Sequence, residues 1–274
     1  LQVVPGRGDN WGAGQTNNLD YRMQASGVWV RAKADVLHFG PNIGLTDFSS
    51  NALVLKGSSI RASGICVQNS KRGVNVGGNG SRIVLTNATI LCCPEENIRA
   101  EQNAHVTCKR SFIMGSGKHM WARNGSTVIM TDTHCLYGYQ YSANDGMVNW
   151  IRNSSGELYR CLFHRSSDGV DIDECSSINM GWTTIQESFG AGLRARNNSS
   201  IKITDCAIHR VGTIGFHVMN NSVCEIDSTL ISGSGFPNTS TQGDGLAVSN
   251  GATLRNGSYI LLYLSLIHIS EPTR

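Results

Sequence analysis

The chain has 274 residues, of which 16% are charged, with 31 glycines, 5 prolines and a net charge of +3. The basic residues are scattered and give no nucleic-acid footprint, and no apolar run approaches the roughly 20 residues that span a bilayer. Abundant Gly, Ser, Thr and Asn favour many short strands and tight turns over a helical bundle, in one elongated all-β domain.

Residues 1–27 read as a lead-in or cap. The chain opens on Leu1 rather than Met, so a missing leader says nothing about secretion. From residue 28 the apolar residues fall into a repeat. One coil carries Ile60 with Ala62, then Val67, then Val74 with Val76; the next carries Ile83 with Leu85, Ile90, and Ile98 with Ala100. The same slots return as Val106, Cys108, Ile113, Met120 and Ala122, and, after a longer coil, as Leu158, Phe163, Val170 and Ile172. They recur again in the coils that start at Ile178, Ile201 and Cys224. A period of about 22 or 23 residues with three apolar groups per period means three short strands per coil.

No coil has enough apolar surface to bury by itself, so coils must stack, with equivalent slots pairing as parallel strands. The expected fold is an all-β, right-handed, single-stranded parallel β-helix over residues 28–260. A leucine-rich solenoid would need a repeated LxxLxL and a half-turn of helix, and neither is present. Residues 264–274 break the repeat and resemble a translated sequencing adapter, so 261–274 are set apart as a non-native tail. Turns such as Asn79-Gly80-Ser81 and Asn220-Asn221-Ser222 fit sharp corners, where Asn accepts a left-handed backbone and stacked Asn side chains satisfy one another.

The nine cysteines show no CxxC or Cys/His spacing for zinc, and their odd count argues against a disulfide scaffold and for folding in a reducing compartment. Cys108, Cys135, Cys161, Cys206 and Cys224 fall in or beside inward slots, as small apolar residues would. No metal site is expected.

Coil period, Asn/Gly/Ser corners and slot alternation together resemble the right-handed parallel β-helix proteins of the pectin-lyase-like fold, and within them phage tailspike and tail-fibre proteins. The resemblance implies a polysaccharide partner lying along the outside of one sheet, a virion or extracellular location, and assembly as a homotrimer. It implies no cofactor, except Ca²⁺ if the chain is a lyase.

Two coils are lengthened between their second and third strands, around residues 137–146 and 236–244, and both inserts leave at the same corner about 19 Å apart. The outward residues of the third strands then form a mixed row: Asn75, Arg99, Trp121 with Arg123, Asn149, Asp171 with Asp173, Arg194 with Arg196, and His217. Trp121, and Tyr137, Tyr139 and Tyr141 from the insert, are candidates to stack on sugar rings, and the arginines to hold carboxylates or sulfates. In the plain structural reading, Asp171 pairs with Arg194 and Asp173 with Arg196 across one rung as surface ion pairs. In the catalytic reading, Asp171 and Asp173 project to one face about 7 Å apart, as inverting glycoside hydrolysis requires. Resemblance to pectate lyases offers a variant in which the pair binds Ca²⁺ and Arg194 abstracts a proton, although the polygalacturonase-like motifs are absent. A second row, His164-Arg165, Gln186-Glu187 and His209-Arg210, reads as a solvated charge ladder.

The sequence reading is therefore a polysaccharide-binding β-helix. The alternatives are a lyase or glycoside hydrolase acting on an acidic polysaccharide, and a structural spacer or adhesin.

Overall fold

Every strand of the repeat is short, and none can bury its apolar face without the coil above and below it. The computed structural model describes residues 19–22, 28–32, 36–41, 43–138, 147–235, 244–256 and 260–263. Their strands form three sheets, of 10, 10 and 11 strands, in which each strand pairs with the one a coil away. We call them first, second and third in the order each coil visits them. The coil of Ser200–Thr204, Ala207–His209 and Phe216–Val218 visits each once. All pairings between coils are parallel; the exception to parallel order is the antiparallel pair Leu19–Arg22 with Val28–Ala32 at the N-terminal edge of the third sheet. The second sheet ends on Ile260–Tyr263, which pairs with Thr229–Ser232.

Register puts like on like. In the first sheet Ile178 pairs with Ile201 and Ile201 with Cys224; in the second Ile185 pairs with Ile208 and Ile208 with Ile231. These residues are buried in one continuous core, and each fully buried Ile or Val contributes about 1.5–3 kcal/mol. The five inward-slot cysteines are buried, and all nine cysteines are free thiols.

Each coil turns three corners, and from Asn51 onward each described corner takes a left-handed residue. Between the first and second sheets the left-handed position holds Asn87, Arg110, Asp132, Arg160, Trp182, Asp205 and Ser228 in successive coils. Between the third and first sheets it holds paired residues, such as Asn197-Asn198 and Asn220-Asn221. Asn250 Nδ2 donates to Asn220 Oδ1 at 3.2 Å, Asn220 Nδ2 to Asn197 Oδ1 at 2.9 Å, and Asn197 Nδ2 to Asp173 Oδ1 at 2.6 Å. The stacked side chains thus satisfy one another, as the sequence leads one to expect. Buried hydroxyls complete the corners: Ser111 Oγ accepts from the Ala88 N–H and Ser222 Oγ from the Ser199 N–H, both at 3.1 Å.

One coil departs from the repeat. Its third strand carries Trp150, fully buried, in the inward slot between Ala122 and Ile172. Opposite, an inward slot of the next coil's first strand is Gly156, paired with Val128 and Ile178.

Candidate functional site

The third sheet carries the mixed outward row. Strand pairing aligns Asn75, Arg99, Trp121, Asn149, Asp171, Arg194 and His217 as direct neighbours, one per rung. In two coils the second strands His134–Gly138 and Thr229–Ser232 are separated from the third strands Val148–Ile151 and Leu246–Val248 by the two lengthened segments, most of whose residues lie outside the described residues. Tyr139 and Tyr141 lie outside the described residues.

Around Trp121 the charges are interleaved. The indole lies against three cations: Lys118 Nζ is 4.3 Å, Arg123 Cζ 4.5 Å and Arg99 Cζ 4.9 Å from its centroid. Glu101 holds two of them, contacting Arg123 Nη2 at 2.5 Å and Arg99 Nη2 at 3.2 Å. Burial pushes the Glu101 carboxyl up, but the hydrogen bonds and charges of Arg123 and Arg99 bring it below its usual value. Glu96 holds Arg72 at 2.7 Å and lies 3.6 Å from Arg99.

The second charged group departs from expectation in two ways. First, Asp173 pairs with Arg196 as expected, but the ion pairs of the rung neighbours Asp171 and Arg194 run diagonally. Arg194 contacts Asp168, and Arg196 reaches both Asp171 at 2.7 Å and Asp173 at 2.9 Å. A guanidinium on a long stem selects the carboxylate with the best fork geometry, which need not be directly opposite. Second, the pairs are not surface pairs. Asp171 is 0% exposed and Asn149 2%. Burial raises the Asp171 pKa to about 6, against the opposing pull of Arg194 and Arg196. Asp168 also accepts from the Ala191 N–H at 2.7 Å.

The remaining candidates are dispersed. His217 ends the row beside Ser249, with Nε2 3.3 Å from Oγ, and burial, then Arg194, lower its pKa. Tyr137 stands apart from Trp121 at the end of a second strand. Its ring is 6.0 Å from that of His164, and the Arg165 guanidinium is 5.8 Å from it. The second row is a ladder: Arg165 to Glu187 at 2.9 Å, Arg210 to Glu187 at 3.1 Å, and Gln186 Nε2 to His164 Nδ1 at 3.0 Å.

Sequence reasoning missed the counter-ions Glu96, Glu101 and Asp168. It also missed Phe189, 64% exposed at the corner before Arg194. A visible signal for Glu101 was its place two residues after Arg99, on the same outward face.

One further regularity emerges along the row. Among the described residues, Asn75 Oδ1, Arg99 Nε, Trp121 Nε1, Asn149 Oδ1, Asp171 Oδ1 and Arg194 Nε are all buried without a hydrogen-bond partner. They occupy six successive rungs, a span of about 24 Å.

A family model described as the right-handed β-helix region matches residues 141–261. The fold is a right-handed parallel β-helix. No curated protein matches the chain. Among solved structures, the chain is similar to the A-module of the mannuronan C-5 epimerase AlgE4 of Azotobacter vinelandii, at 10% identity and a TM-score of 0.46, covering 88% of this chain and 84% of that one. It is also similar to full-length tailspike protein 2 of an Escherichia coli bacteriophage, at 14% identity and a TM-score of 0.46. There the alignment covers 90% of this chain but 45% of the tailspike. A third is the periplasmic alginate epimerase AlgG, at 10% identity and a TM-score of 0.41, covering 80% and 76%. No helix among the described residues is long and apolar enough to cross a membrane.

Proposed function

We propose that the outward face of the third sheet binds a polysaccharide laid along the stack, and that the protein is a recognition module of a virion or an extracellular assembly. The observation that carries this reading is the row of six unpartnered polar atoms. A buried polar atom without a partner costs about 1–3 kcal/mol, and six in line call for one extended partner. Asn75, Asn149 and Asp171 offer acceptors, whereas Arg99, Trp121 and Arg194 offer donors. A chain of hydroxyls, each able to donate and accept, suits that mixed order; a chain of phosphates, acceptors only, does not. Binding requires the covering cations to move, Arg99, Arg123 and Lys118 off the Trp121 ring and Arg196 off Asp171. Assembly as a homotrimer is part of the same proposal.

A lyase or hydrolase is the second reading, favoured by the Asp171 pKa near 6, suited to a general acid. Against it, both carboxylates of the pair are tied to Arg196, and Arg194 is already engaged by Asp168. In the lyase form Asp171 and Asp173 would also hold Ca²⁺, yet Arg196 occupies both.

The test is to mix the protein with acidic and neutral polysaccharides, with Ca²⁺ or with chelator, and to score binding and new chain ends separately. Binding without new ends, weakened by Trp121→Ala, supports recognition. New ends that disappear in Asp171→Asn would replace it with catalysis, and silence across the panel would favour a structural spacer.

A further inference from the structure

The first sheet carries a feature that neither the core nor the third-sheet row uses. Its outward positions form a shallow groove of about 190 Å³ over Thr127, Ser155, Glu157, Asn179, Ser200 and Lys202. The same strands continue to Tyr159 and Gly181, paired across one rung. A Cβ on Gly181 would stand 3.4 Å from Tyr159 Cδ2, so the glycine leaves the tyrosine ring uncovered on that side. Trp182 follows at the corner, its ring 4.9 Å from that of Tyr159 at 68°. Arg160 braces the tyrosine, with Cζ 4.6 Å from its centroid, and Asp132 fixes Arg160 with bonds of 2.6 and 2.8 Å.

Trp182 is the unusual member. It is 55% exposed and its φ is +46°, a left-handed conformation that costs a side-chain-bearing residue about 1–2 kcal/mol. In other coils the same corner position takes Asn87, Arg110, Asp132, Arg160, Asp205 or Ser228. An indole here loses backbone energy and leaves most of its apolar surface in water, and the core gains nothing in return.

We propose that Tyr159 and Trp182 form an aromatic platform for a pyranose ring, and that the adjoining groove takes the next units of a neutral oligosaccharide. The apolar C–H face of a sugar stacks on such rings, while its hydroxyls donate to Glu157 and exchange hydrogen bonds with Asn179 and Ser155. The flanking cations are neutralised, Arg160 by Asp132 and Lys202 by Glu225 at 3.0 Å. Glu157, exposed in the groove, adds a negative charge, so an acidic saccharide is disfavoured. This site is separate from the third-sheet row, and it stands whether or not that row binds.

The experiment titrates the full chain with hexasaccharides of β-1,4-glucan, β-1,3-glucan, α-1,4-glucan and mannan, by calorimetry and by indole N–H chemical shifts. At least one binds with a Kd below about 1 mM. Trp182→Ala weakens that binding tenfold or more with an unchanged melting temperature, and Asn179→Trp blocks it from the groove side. No binding by any of the four overturns the proposal, as does binding of wild-type strength in both Trp182→Ala and Asn179→Trp.

Discussion

The indole of Trp150 occupies the space that a side chain at Gly156 would need. A Cβ on Gly156 would fall 2.7 Å from Trp150 Cε2 and 2.6 Å from the Val128 carbonyl oxygen. Where these two coils meet, the core therefore balances one very large inward residue against one with no side chain.

Trp150→Ala should cost about 3–5 kcal/mol, because the stacked coils above and below cannot close the cavity. Gly156→Val should cost about 3 kcal/mol or more by overpacking. Combining Gly156→Val with Trp150→Ala should cost less than the two single effects added together, and urea unfolding of all three variants measures that coupling.

The Asn ladder separates backbone from side chain. Asn220 has a φ of +53° and bonds to both Asn197 and Asn250. Asn220→Gly keeps the conformation and loses two hydrogen bonds, about 1–2 kcal/mol. Asn220→Ala loses the bonds and adds about 1–2 kcal/mol of left-handed strain. Denaturant midpoints should therefore rank wild type, then Gly, then Ala.

Arg194 is the cation of a buried carboxylate. Asp168 has a side chain 6% exposed and Arg194 one 14% exposed. Arg194→Met leaves Asp168 without that partner and removes a counter-charge from Asp171, at a cost of about 3–5 kcal/mol. Pairing Arg194→Met with Asp168→Asn should recover part of the loss in the same unfolding assay.

Two buried groups give opposite pH dependences. The Asp171 pKa is raised to about 6, so the folded state takes up its proton more readily than the unfolded chain; that stability is full below about 3.8 and is lost as pH rises through 6. Burial lowers His119 to about 4, with Nε2 2.9 Å from the Leu136 carbonyl oxygen and Nδ1 2.7 Å from Ser116 Oγ. Its stability is full above 6.5 and is lost as pH falls toward 4. Between about pH 4 and 6 the two oppose each other. Melting curves should show Asp171→Asn gaining stability with rising pH more steeply than wild type, and His119→Asn doing the reverse.

The repeat was legible because stacking imposes it on every coil: Ile201 must meet Ile178, and a misplaced residue would leave the core. The outward row was legible for the same reason, since alternation decides which way Asn149, Asp171 and Arg194 leave the sheet. What covers a residue after it leaves is another matter. Asp171 points outward and is nonetheless buried, because Arg196 folds over it. Asp168 escaped notice because it precedes its strand, Val170–Ile172, and so falls outside the alternating pair. Tyr137 turned toward His164 because it occupies a left-handed corner, φ +55°, where strand alternation no longer holds.

The most direct measurement is the affinity of wild type and Trp121→Ala for the tightest-binding polysaccharide of the panel, with the Trp121 indole N–H followed by NMR. The account predicts that this resonance shifts on binding, that Trp121→Ala weakens affinity tenfold or more at an unchanged melting temperature, and that no new chain ends appear. A bound polysaccharide that leaves the Trp121 resonance unmoved, and that binds Trp121→Ala as tightly as wild type, would contradict a site on the third sheet.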